Sequence, residues 1–94
     1  MECKNLDEVR ENIDNIDKQI IRLIAERGLF VSQASKFKKD SEDVKAPARV
    51  EKIIEKVRSL ATEYGASPDM IEKLYREMIN GFINMEMNEF NNQK

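Results

Sequence analysis

The chain has 94 residues, with 16 Lys and Arg against 18 Asp and Glu, a single cysteine (Cys3) and no histidine. That length supports one modest core, near the size at which oligomerisation is a common source of extra stability, and a net charge of -2 leaves no footprint of a nucleic-acid or membrane-surface binder. Without histidine or a cysteine cluster the usual general base and metal-ligand sets are absent, so any chemistry must run on cations, carboxyls and positioning.

The opening, Met1 to Glu8, is polar and acidic, unlike a signal peptide, and no apolar run approaches the ~20 residues of a membrane span; a reduced, cytoplasmic setting is expected. From Leu6 to about Lys39 the periodicity predicts one long amphipathic helix, capped by Asn5 or Asp7. Leu6, Val9, Ile13, Ile16, Ile20, Leu23, Phe30, Ala34 and Phe37 recur at steps of three and four. Position 27 belongs to this series and is Arg27, while Arg10 and Lys38 border the stripe near its two ends. An arginine on a buried stripe is unfavourable unless an anion meets it. About eight helical turns separate Arg10 from Lys38, so the three cations cannot all serve one small ligand from one copy of the helix. Gly28 interrupts the pattern beside Arg27, as tolerated weakness or as a point of close approach. The helix would extend about 50 Å, whereas a compact chain of this size is roughly 30 Å across. It must therefore overhang its own domain, and a second chain, most simply an identical one, is needed to cover the stripe.

Lys39 to Ala46 loses periodicity and reads as a loop. Pro47 suits the first turn of a second helix whose buried face is Val50, Ile53, Ile54, Val57, Leu60, Ala61 and Tyr64, with Gly65 as terminator. Ser67-Pro68-Asp69 starts a third helix with a stripe of Ile71, Leu74, Tyr75, Met78, Ile79, Phe82, Ile83 and Phe90. Asn80-Gly81 is a turn signal in other contexts, but here the helical period runs through it. A frayed polar tail, Asn91 to Lys94, completes a single domain over residues 1–94.

Glu86 breaks the rule on the third helix as Arg27 does on the first, since it shares a face with Tyr75, Ile79 and Phe82. A carboxyl there is a candidate for a raised pKa and a protonated, hydrogen-bond-donating form, or for an ion pair with a basic residue of the first helix. Arg10, Arg27, Lys38 and Arg49 together suit a small anion with more than one carboxylate, and each also has an ordinary surface or helix-end role open to it.

The run Val9-Arg10-Glu11-Asn12-Ile13-Asp14, then Leu23-Ile24-Ala25-Glu26-Arg27, then Lys36-Phe37-Lys38, resembles the first helix of the all-helical chorismate mutases, and the second and third helices match in length and order. The resemblance implies an all-α fold, a three-helix protomer intertwined as a homodimer with two active sites built from both chains. It implies that Arg10 reaches the partner's site, that Arg27 and Lys38 bind the substrate carboxylates and the bridging ether oxygen, that Arg49 adds a carboxylate contact, and that Glu86 stands beside the ether oxygen. The reaction implied is the cofactor-free conversion of chorismate to prephenate. Where that family places an acid after the second-helix arginine and an Asp a turn earlier, this chain has Val50 and Ala46. The segment Lys45-Ala46-Pro47-Ala48-Arg49-Val50 instead looks like the isochorismate pyruvate lyases, which implies an alternative, pyruvate elimination from isochorismate. A third reading, from another class, is a non-catalytic helical dimerisation or regulatory module.

Overall fold

The computed structural model describes residues 2–92, which form three long helices, one short helix and no strand. In chain order these are α1 (Leu6–Ser35), α2 (Ser41–Lys45), α3 (Pro47–Tyr64) and α4 (Pro68–Asn92). The all-α class expected from the periodicity is present. The chain divides into two compact units, Met1–Phe30 and Val31–Lys94, with the division falling inside α1. Among the described residues, no helix is long and apolar enough to cross a membrane.

The first unit is a helix start and most of a helix. Asn5, rather than Asp7, is the cap: its Oδ1 accepts from the Glu8 amide at 2.9 Å, and the Glu8 carboxylate accepts from the Lys4 amide at 3.2 Å. This near-reciprocal pairing satisfies orphan donors of the first turn, where the acidic Asp7 and Glu8 also suit the positive helix end. Asn12 donates to the Glu8 carbonyl at 3.0 Å and lies 3.4 Å from Cys3 Sγ. The apolar stripe stands open to solvent along this single chain: Leu6, Val9, Ile13, Ile16, Ile20, Leu23 and Phe30 are 38% to 70% exposed.

The second unit holds the core. Ile54, Val57 and Ala61 of α3 are buried, as are Ile79 and Phe82 of α4. Leu60, Tyr64 and Leu74, predicted on the buried stripes, are exposed instead, Tyr64 by 81%. The residues at the centre of each stripe meet the neighbouring helix, and those on its flanks and near the α3–α4 turn do not. Gly65 ends α3 in the left-handed conformation (φ 79°), with its amide donating to the Ala61 and Thr62 carbonyls, and the Ala66 amide reaches the Ala61 carbonyl at 2.7 Å. The Ser67 hydroxyl caps α4 by accepting from the Met70 amide at 3.2 Å, and α4 runs unbroken through Asn80-Gly81.

Ion pairs tie the faces of α3 and α4 outside this core. Arg58 of α3 meets Asp69 at 3.0 Å and Glu72 at 2.8 Å, while Arg76 of α4 meets Glu72 at 2.8 Å and forks onto both oxygens of Glu51 at 3.0 Å. Hydrogen bonding to Arg76 holds both Glu51 and Glu72 below the usual carboxylate range. These groups are partly solvated, so screening limits what they add.

Three boundaries differ from the sequence-based expectation. The first helix stops at Ser35 rather than near Lys39, and the chain leaves it through tight three-residue turns in which the Lys36, Phe37 and Lys38 amides bond the Gln33, Ala34 and Ser35 carbonyls. The segment read as a loop contains α2, held by a reciprocal cap: Asp40 Oδ1 accepts from the Asp43 amide at 2.9 Å and Asp43 Oδ2 from the Lys39 amide at 3.0 Å. Val44 is fully buried and anchors α2 on α4. Finally, α4 continues through Asn91 and Asn92, where a frayed tail was expected; Gln93 and Lys94 lie outside the described residues.

Burial of Ile54 dominates over the solvated ion pairs in joining α3 to α4. Truncation of Ile54 to Ala is expected to lower unfolding free energy by about 3 kcal/mol. Glu72→Gln is expected to lower it by clearly less, with both read from urea denaturation.

Candidate active site

Glu86 sits on α4 one turn after Phe82, so the register that buries Ile79 and Phe82 buries it as well. It is 7% exposed, and its Oε2 is enclosed with no hydrogen-bond partner among the described residues. A carboxylate in that position gives up hydration that no donor to Oε2 replaces, whereas the neutral acid loses much less. Burial accordingly raises the Glu86 pKa above its ordinary 4.5; the Lys38 ammonium opposes the rise and the Glu89 carboxylate adds to it. The sequence-based expectation of a raised pKa is met, and the rise survives the opposing lysine.

Lys38 reaches this region from beyond the end of α1, not from its stripe. It is half-buried, and its Nζ donates to the Asp43 carbonyl of α2 at 3.0 Å. The short helix therefore fixes the ammonium in place: Asp40 and Asp43 close its first turn, Val44 anchors it, and the Asp43 carbonyl receives the lysine. Ala46, joining α2 to α3, takes the left-handed conformation (φ 37°, ψ 61°), which is unfavourable by roughly 1 kcal/mol for a residue with a Cβ. Arg49 follows on the first turn of α3 and is exposed.

Sequence reasoning passed over three polar groups here: Glu89, which acts on Glu86, and the Ser32 and Ser35 that bond Glu89. Ser32 donates to the Glu89 carboxylate, at 2.9 Å to Oε2 and 3.1 Å to Oε1. Ser35, 1% exposed, places its hydroxyl between the Ser32 carbonyl at 2.6 Å and Glu89 Oε2 at 3.2 Å. Their signal was present: Ser32 and Ser35 are three apart on one helix, as Glu86 and Glu89 are on another.

In the first unit, Arg10 is exposed and Arg27 half-buried. Seventeen residues of continuous helix hold them about 25 Å apart, so one chain does not bring both to a single small ligand. Of the predicted site residues, the structure thus gathers Lys38 and Glu86, places Arg49 at the head of α3, and leaves Arg10 and Arg27 on separate turns of α1.

The family model described as chorismate mutase type II matches residues 9–87. The isochorismate pyruvate lyase of Pseudomonas aeruginosa is 32% identical over 82 residues, covering 87% of this chain and 81% of the lyase. The chorismate mutase of Methanocaldococcus jannaschii is 29% identical over 77 residues, covering 81% of this chain and 78% of that enzyme. A bifunctional chorismate mutase/prephenate dehydratase of Aquifex aeolicus is 32% identical over 87 residues, which are 24% of its length.

The raised pKa fixes the sign of a stability effect. The burden of ionising Glu86 in the folded state is absent at pH values below the unfolded carboxyl's pKa of 4.5 and grows as pH rises toward and through the folded value. Glu86→Gln should therefore stabilise the protein more at pH 8.5 than at pH 4 in parallel urea denaturations, and an equal effect at both would refute the burial argument.

Proposed function

The chain belongs to the chorismate mutase type II family, and from that premise we propose that it is a chorismate mutase, an isomerase that rearranges chorismate to prephenate without a cofactor. The observation that carries the reading is the buried Glu86 carboxyl, its Oε2 enclosed without a donor among the described residues, with a fixed Lys38 ammonium acting on it. A Claisen rearrangement breaks an ether C–O bond and forms a C–C bond within one molecule, so no proton shuttle is needed. What helps is a reactive conformer held in place and donors aimed at the ether oxygen as charge grows on it. Neutral Glu86 and Lys38 supply two such donors. Arg27 and Arg49 clamp the two carboxylates, as arginine's planar fork allows.

The site is completed by a second copy of the chain. Residues 1–94 act as one domain in a homodimer, in which the partner covers the open stripe of α1 and Arg10 reaches across into the partner's site. Two observations support this: seven apolar residues of the predicted stripe stand exposed along α1, and the helix separates Arg10 from Arg27 by about 25 Å. The setting is cytoplasmic, where a lone Cys3 stays reduced.

A second reading, elimination of pyruvate from isochorismate, is favoured by the lyase-like segment Ala46 to Val50 and by the similarity to the lyase. Val50 is half-buried and apolar where the mutase pattern has an acid.

Purified protein incubated separately with chorismate and isochorismate should form prephenate from the first and little pyruvate from the second. Pyruvate as the dominant product would favour the lyase. Turnover of neither would point to a non-catalytic dimer. Arg27→Ala should reduce kcat/KM on the order of a hundredfold or more while sedimentation still shows a dimer. A folded wild-type monomer at micromolar concentration would contradict the shared site.

A further inference from the structure

Glu86 is not the sole carboxyl in its surroundings. Glu89 lies three residues on along α4, the spacing that puts side chains on one helix face. The two carboxyls meet different environments. Glu89 is half-buried and takes the Ser32 hydroxyl on both oxygens, with Ser35 close to Oε2. The single Ser35 proton favours the Ser32 carbonyl, at 2.6 Å against 3.2 Å, so Ser32 is the principal donor. Glu86 has Oε2 enclosed with no donor among the described residues. A hydroxyl directed at a carboxyl favours the charged form, and enclosure without a donor favours the neutral one. The Glu89 carboxylate so held acts on Glu86 through space and favours its neutral form.

We propose that Glu89, held by Ser32 and backed by Ser35, is a positioning residue whose charge keeps the proton on Glu86. The inference rests on the reading of Glu86 as the neutral donor to the substrate. Glu89 touches no reacting atom; it acts through Glu86 alone. Its negative charge makes a second negative charge one turn away unfavourable, and the Ser32 hydroxyl holds the Glu89 carboxylate in place. Charged groups acting on Glu86 come from two elements, Glu89 on α4 and Lys38 from the α1–α2 connection, and they act in opposite directions. Val44 of α2 is buried and apolar and contributes no charge. Without Glu89, Lys38 would be left to draw the proton off Glu86, and the ionised form would be favoured over the donor. Ser32, Ser35 and Glu89 are thus part of what keeps a carboxylic acid usable as an acid beside a lysine.

The test is a carbon-detected NMR titration of the Glu86 side-chain carboxyl in the full-length protein, without substrate, for the wild type, Glu89→Gln, Ser32→Ala and Ser32→Thr. The Glu89→Gln change keeps a side-chain oxygen for Ser32 but removes the charge, and amide spectra verify that each variant is folded. The Glu86 midpoint should fall in Glu89→Gln, fall by a smaller amount in Ser32→Ala, and hold its wild-type position in Ser32→Thr, which retains the hydroxyl. In parallel, the alkaline limb of kcat for prephenate formation should move to lower pH in Glu89→Gln. An unchanged Glu86 midpoint in a folded Glu89→Gln protein overturns the proposal, whatever the activity. A wild-type protein inactive on chorismate overturns the functional reading instead, because the coupling between the carboxyls is read without substrate.

Discussion

Enclosure of one carboxyl without a partner is the constraint on which the candidate site depends. The stripe that seats Ile79 and Phe82 in the core carries Glu86 in with them, because all three lie on one face of α4. Helical register therefore does chemical work at this position. The packing that joins α4 to its neighbours also removes water that would stabilise an ionised glutamate, and so favours the neutral acid. In that form the carboxyl can donate a hydrogen bond, which a carboxylate cannot. Lys38 acts against the effect and Glu89 with it, so the state of Glu86 is a balance among three groups rather than a property of one.

The second constraint is the short helix α2. Five residues have no stability as an isolated helix, and α2 is held by its ends and by one anchor: the Asp40–Asp43 cap, and Val44 buried against α4. Its Asp43 carbonyl then receives Lys38, so a lysine beyond the end of α1 is positioned by backbone and not left on a mobile stem. The left-handed Ala46 turns the chain directly from α2 into Pro47 and places Arg49 on the next turn. The segment in which this chain departs from the mutase pattern and resembles the lyases, Lys45 to Val50, thus carries Arg49 and closely follows the Asp43 carbonyl that holds Lys38.

Much of this was legible in the sequence, and the parts that were not have identifiable causes. The long helices were readable because their apolar steps persist over many turns, and Gly65 and Ser67 mark the α3–α4 turn by residue types that the backbone there requires. Glu86 was readable as an exception on an apolar face. The α2 helix was missed because five residues cannot display a period; only the Asp40 to Asp43 spacing announces it, and that is a weak signal by itself. The end of α1 was overrun because Phe37 continues the apolar spacing, although the chain has already left the helix and Phe37 is exposed. Ser32 and Glu89 were passed over because serine and glutamate on a helix ordinarily face water. Their pairing depends on two helices meeting, which local pattern does not specify.

The family assignment and the geometry meet at the protonation state of one residue. Infrared difference spectroscopy of the wild type against Glu86→Gln, at neutral pH and without substrate, observes that state directly. The account predicts a protonated carboxyl stretch in the wild type that the variant lacks and that disappears at alkaline pH. A wild-type spectrum showing only ionised carboxylate at that position would contradict it, and would leave Lys38 as the one donor of this pair available to the ether oxygen.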